Sequence, residues 1–369
     1  MKQIRNNSKL LALSAAFLLI AVLGATDFLG QTRTTRPQNQ QNTNKPQQTP
    51  TPPASPSASP APEKKATEGK SIEDSDEPIR VDTELVNLNV RIVDRSGHQV
   101  NDVRPDEFKI FEDGVQQKIE FVSKEEVPVN YGLVVDNSGS LRNQLEKVIE
   151  AGKIIVAANK PDDAAFVIRF ISSDKIEILK DFTKNKEDLN DALENMFPEG
   201  GQTAIIDAVM LGAEKAAEYE KSKRSQDKSR RALILITDGE DRDSYYKEEQ
   251  LFQQLREADV QIYPIGFVNE LSKDSGLISK SPRTKAVKLL ERMAQETGGK
   301  AYFPNSLDEL PTIANSISSE LRTQYLLSYA PTNDKRDGTF RSIKVTVNED
   351  AKRGHRIPVT RTGRTAPKG

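Results

Sequence analysis

The chain has 369 residues, 36% of them hydrophobic and 29% charged, enough for two ordinary domains with length left for tails. With 53 basic and 55 acidic side chains the formal net charge is −2, so no global field calls for nucleic acid or an anionic membrane. The absence of cysteine excludes disulfides, thiolate metal sites and cysteine nucleophiles, and two histidines far apart, His98 and His355, argue against a histidine-based zinc site.

Residues 1–25 read as a targeting segment. Lys2, Arg5 and Lys9 precede an apolar stretch, 10–23, broken only by Ser14. That stretch falls short of the roughly 20 apolar residues of a membrane span, and Leu23-Gly24-Ala25 only loosely resembles a cleavage site. The segment is expected to act either as a cleaved signal or as a retained N-terminal anchor, which would be the chain's one contact with a membrane. Export is expected in both cases, to the periplasm, the cell surface or the medium. Residues 26–78 are rich in proline, serine, glutamine and threonine and are expected to form a disordered linker, because they bury too little apolar surface to offset chain entropy.

Residues 79–128 carry β patterning. Leu85, Leu88, Val90 and Ile92 alternate with polar neighbours, and Asp113-Gly114 separates two alternating runs, the signature of a hairpin. From 129 to 322 the pattern becomes strand and helix in turn. Apolar runs predict strands at 131–136, 164–171, 232–237, 260–266 and 300–303, with the more polar 175–182 as an antiparallel edge strand. Apolar stripes at helical spacing predict helices at 141–156, 204–217, 247–258, 285–297 and 308–322. This alternation implies an α/β fold: a doubly wound, mostly parallel sheet with helices on both faces. β patterning returns at 325–331, 340–348 and 355–363, within a second flank, 323–363, followed by a tail, 364–369. Neither flank has strands enough for a domain alone. They are expected to combine into one β-sandwich interrupted by the α/β domain, with two separate β appendages as the alternative.

Three strand-to-helix loops carry oxygen-bearing side chains. The run "YGLVVDNSGS" ends in Asp136, Ser138 and Ser140; "PEGGQTAI" delivers Thr203 to the start of a helix; "LILITDGEDRD" ends its apolar run at Asp238. Ligands of open parallel sheets bind at the carboxyl ends of strands. Two carboxylates and three hydroxyls are hard oxygen donors suited to Mg²⁺ or a similar cation. Taken singly, each loop is an ordinary polar turn or helix start. Asp241 and Asp243 read as solvated loop residues or as an acidic rim. No Gly-rich dinucleotide or P-loop motif is present, and no histidine lies in 129–322 to activate a serine nucleophile.

Asp136-x-Ser138-x-Ser140, Thr203 after a double glycine and Asp238 in "TDG" together resemble the metal-ion-dependent adhesion site of von Willebrand factor A (VWA) domains. The flanks resemble a group of bacterial exported proteins related to them. The resemblance implies Ser138 and Ser140 as direct ligands of Mg²⁺ (or Mn²⁺ or Ca²⁺), with Asp136, Thr203 and Asp238 binding directly or through water. It also implies a non-enzymatic function, capture of an Asp or Glu carboxylate from a partner protein, and in adhesive relatives a movement of the last helix. The alternative is an envelope scaffold or assembly factor in which the metal only braces the loops. A metal-dependent hydrolase is a third reading, with no general base evident beside the ligands.

Overall fold

The computed structural model describes residues 85–124, 126–221, 229–273, 281–348 and 354–369. These fall within one compact unit, Glu77–Gly369. The targeting segment and the linker lie outside the described residues. Among those described, no helix is long and apolar enough to cross a membrane.

The chain runs through β1 (Val86–Val93), β2 (Phe108–Glu112), β3 (Val115–Gln117) and β4 (Ile119–Ser123) into β5 (Val129–Asp136), α1 (Leu145–Ala157), β6 (Ala164–Ser172) and β7 (Lys175–Thr183). Then follow α2 (Lys186–Glu194), α3 (Ile205–Lys221), β8 (Arg230–Thr237), α4 (Glu248–Ala258), β9 (Gln261–Gly266), α5 (Pro282–Thr297) and α6 (Leu310–Arg322). Four short strands close the chain: β10 (Tyr325–Tyr329), β11 (Phe340–Val347), β12 (Ile357–Val359) and β13 (Gly363–Thr365).

The central sheet has the order β7-β6-β5-β8-β9. All of its pairings are parallel except β6 with β7, the expected antiparallel edge. All eight residues of β5 are buried, because helices cover both faces. Alternate residues of β5 therefore enter different cores. Leu133 and Val135 pack with α1, α2 and α6, while Val134 packs with α3, α4 and α5. Gly132 permits this closeness, since a Cβ there would stand 2.2 Å from the Phe166 ring.

Three details depart from the sequence reading. Residues 300–303 do not form a strand; Tyr302 makes a single parallel bridge to Ile265, with Gly298-Gly299 before it and Pro304 after it leaving no length for a ladder. Helix α1 starts at Leu145 rather than 141, because Gly139–Leu141 closes a 3₁₀ turn first. Helix α2 was not anticipated. The Asn185 side chain caps it by accepting from the Glu187 amide at 2.9 Å, and Leu189, Ala192 and Leu193 bury one face.

The flanks pair with one another. One sheet runs β12-β1-β10-β4 and the other β13-β11-β2-β3, so each combines strands from before and after the α/β region. Leu88 and Ile92 of the first sheet meet Ile110 and Val345 of the second in one apolar core, the β-sandwich-like domain expected from the two flanks. Asp113 (φ 48°) and Gly114 (φ 81°) make the left-handed turn between β2 and β3. The second run of that hairpin divides at Lys118, its first part staying with β2 and its second joining β10. Segment 355–363 yields β12, whereas β13 begins at its last residue and runs into the expected tail, whose end bonds back to the chain through Ala366 N to Thr339 O (2.9 Å) and Gly369 N to Arg336 O (3.0 Å).

A buried ionic seam joins sandwich to α/β domain. Arg91 of β1 donates to Glu320 of α6 at 2.6 Å and to Gly299 O at 3.1 Å. Glu320 also accepts from Lys300 Nζ and Tyr302 Oη, both at 3.1 Å. Arg230 of β8 meets the free carbonyls at the C-terminus of α6, those of Leu321, Arg322 and Gln324. Removing one partner of a buried pair leaves the other charge uncompensated, at a cost of ~3–5 kcal/mol, whereas an apolar replacement of both is often near neutral. Glu320→Ala should therefore lower stability by that order in urea unfolding, and Arg91→Met with Glu320→Leu should recover most of the loss.

Candidate metal centre

Parallel pairing of β5 with β8 matches Val135 with Ile236, so both strands deliver their next residues to the same carboxyl edge. Asp136 is the last residue of β5, and Asp238 follows the last residue of β8. Asp136 is fully buried. Its carboxylate is held by the Ser138 amide (2.9 Å to Oδ1) and the Thr237 hydroxyl (2.7 Å to Oδ2). Burial first, and then the neighbouring Asp238 carboxylate, push its pKa up to about 6.

Ser138 and Ser140 meet over the same edge, their hydroxyl oxygens 2.8 Å apart. Ser138 is buried and Ser140 exposed, so the pair bridges interior and solvent. Leu141 is buried and its amide donates to Ser138 O at 3.2 Å, fixing the turn that presents both hydroxyls.

Thr203 stands two residues before α3, buried, in the glycine loop. Its carbonyl accepts from the Arg242 and Asp243 amides at 2.9 and 3.1 Å, which ties this loop to the one after Asp238. Its side chain makes no hydrogen bond to the other four candidate residues. Asp238 turns back on its own chain by accepting from the Glu240 amide at 3.0 Å, across Gly239 at φ 85°.

Asp241 and Asp243 are fastened rather than forming a free rim. Asp241 accepts from Ile206 N (3.2 Å) and from Ser244 Oγ (2.6 Å), and burial raises its pKa. Asp243 accepts from Ser173 N at 3.1 Å.

Thr237 was not singled out by the sequence reading. Its hydroxyl donates to Asp136 and accepts from the Gly239 amide at 3.0 Å, joining two of the three loops. The signal was the threonine of "TDG", a polar residue within a buried apolar strand.

The donor set fits a hard divalent cation. The Ser138 and Ser140 hydroxyls hydrogen-bond to one another at 2.8 Å, near enough for both to reach one cation, since adjacent oxygens of an octahedral Mg²⁺ site stand about 2.9 Å apart. Among the described residues no three His, Cys, Asp or Glu side chains gather as a metal site, so a cation here would depend on the hydroxyls as well as on the two carboxylates. A cavity of about 710 Å³ lies elsewhere, between the start of β1 and the C-terminus of α4. Among its lining residues Arg256 pairs with Glu296, Arg361 with Asp259 and Arg364 with Glu112, so it reads as a seam within the chain.

The family model for the von Willebrand factor type A domain matches residues 132–316. Among solved structures, an aerotolerance-related membrane protein from Bacteroides fragilis is 19% identical, with 52% of this chain and 99% of that one covered and a TM-score of 0.38. A von Willebrand factor type A protein from Catenulispora acidiphila is 10% identical over 77% of this chain and 75% of that one, with a TM-score of 0.43. Proximal thread matrix protein 1 of the mussel byssus is 20% identical over 54% and 49%, with a TM-score of 0.43. No curated protein matches the chain.

Losing the Thr237 hydroxyl removes one donor from a buried carboxylate and one acceptor from the Gly239 amide, each group costing ~1–3 kcal/mol when left unpaired. Thr237→Val should lower stability by roughly 2–4 kcal/mol in urea unfolding with chelator present, and Thr237→Ser should restore most of it.

Proposed function

The chain belongs to the von Willebrand factor type A domain family, and from that premise we propose that it is an exported, non-enzymatic binding protein whose oxygen cluster holds a divalent cation and captures a carboxylate of a partner protein. Asp136, Ser138, Ser140, Thr203 and Asp238 would hold the cation, Mg²⁺ in the first instance and Mn²⁺ or Ca²⁺ by the same donors. The observation that carries the reading is the meeting of the Ser138 and Ser140 hydroxyls at 2.8 Å on the sheet edge that Asp136 and Asp238 also reach. When bound, the cation supplies a Lewis-acidic position that accepts a carboxylate oxygen.

The chain's own residues account for the rest. Asp136, locked by Thr237 Oγ1 and Ser138 N, presents its charge without side-chain freedom to lose. Two carboxylates match the charge of one divalent ion, and the hydroxyls add donors without adding charge, so an incoming carboxylate is not repelled by surplus anion. Ser140 opens this site to solvent. Export rests on the basic and apolar pattern of residues 1–25.

The test is selection of displayed random peptides on the full chain in Mg²⁺, with elution by EDTA. Eluted sequences should share an Asp or Glu at a fixed position, and the Ser138→Ala chain should yield none. If the eluted peptides share no carboxylate, or the variant yields the same set, carboxylate capture is excluded. A cation that raises thermal stability without altering peptide capture would instead favour the scaffold reading.

A further inference from the structure

Large apolar side chains left in water are informative when they gather at one place. Five aromatic residues of the described chain are exposed: Phe121, Phe197, Tyr245, Tyr246 and Phe340. Three of these stand on the loops around the oxygen cluster. Phe197 is 55% exposed and Tyr245, at 79%, is the most exposed large hydrophobic residue among those described.

Both are held in place. The Phe197 carbonyl accepts from the Asn137 side chain at 2.5 Å, between Asp136 and Ser138 in sequence. Its ring lies against the Arg169 guanidinium, 4.8 Å from centroid to carbon, and Arg169 is itself paired with Glu177 and Glu199. On the loop after Asp238, the amides of Tyr245 and Tyr246 donate to the two oxygens of Asp207, at 2.8 and 3.0 Å, in the first turn of α3 beyond Thr203. The two tyrosine rings meet edge to face at 5.2 Å. Loops anchored this way present their aromatics with little entropy left to lose on binding.

Charge is complementary too. Arg142, two residues after Ser140, is exposed and, among the described residues, has no ion-pair partner. Arg142 and the three exposed rings thus stand on the same loops that carry Ser140, Thr203 and Asp238.

We propose that Phe197 and Tyr245, with Tyr246, form the specificity surface of this site, and that its occupant is a protein segment whose Asp or Glu is flanked by aromatic or large aliphatic side chains. Rigid aromatics beside a polar anchor are the residues that carry binding energy at protein interfaces. The segment is distinguished from a polyacidic tract, which offers nothing for the rings to cover. This inference rests on the proposed capture of a carboxylate.

The experiment uses the full chain and four synthetic heptapeptides in Mg²⁺: a central Asp flanked by glycines, the same Asp flanked by Phe and Leu, and the Asn counterpart of each. The aromatic-flanked Asp peptide should bind wild type more tightly than the glycine-flanked one by on the order of tenfold, the scale of losing one or two aromatic hot spots. In a Phe197→Ala, Tyr245→Ala chain that advantage should vanish, while the penalty for Asn and the sensitivity to EDTA remain. An undiminished advantage in the variant, or none in wild type, overturns the proposal. Equal binding of Asp and Asn peptides overturns the carboxylate reading itself, and this one with it.

Discussion

A carboxylate with no access to water sits at the end of the central strand, and the surrounding loops are organised by the need to compensate it. Asp136 ends β5, whose two faces are both covered by helices, so its charge must be met by protein groups. The Ser138 amide and the Thr237 hydroxyl meet it. Thr237 is available because β8 runs parallel to β5 in a register that sets Ile236 beside Val135. The same register then places Asp238 close enough to repel Asp136, and the turn stabilised by Leu141 presents the two serine hydroxyls above them. A sheet pairing thus becomes an oxygen cluster whose anionic repulsion a cation would relieve.

The outer frame restrains the same domain from the opposite direction. Strands from both flanks share two sheets, so the α/β region leaves the sandwich after β4 and returns to it at β10. Beyond the apolar core they share, the Arg91–Glu320 pair ties β1 to the last helix, and Arg230 ties β8 to the carbonyls at that helix's C-terminus. Any displacement of α6 would have to break these buried contacts or carry the sandwich with it.

Much of this architecture was legible in the sequence because it rests on periodicity. The continuous apolar run of β5 announced a strand covered on both faces, and the polar alternation of 175–182 announced an edge. The order of strands and helices put Asp136, Thr203 and Asp238 on loops at one end of the sheet. What escaped was shorter than a period or set by tertiary contact. Helix α2 has only nine residues, and its capping asparagine and buried Leu189–Leu193 face are a faint signal between two stronger ones. Residues 300–303 have strand composition, but the glycines and proline around them leave room for one bridge. Thr237 looks like one more residue of an apolar strand until β5 is laid beside it. Phe197 and Tyr245 look like core residues by composition, and only their exposure sets them apart.

If Asp136, Ser138, Ser140, Thr203 and Asp238 hold one divalent cation, the ion can be seen in place. Anomalous scattering from a crystal of the chain grown with Mn²⁺ tests it most directly. One strong anomalous peak is expected in the coordination sphere of the Ser138 and Ser140 hydroxyls, absent from crystals of the Ser138→Ala, Ser140→Ala chain. Well-ordered loops with no peak between those hydroxyls, or a peak bound elsewhere and unaffected by the substitutions, would contradict it.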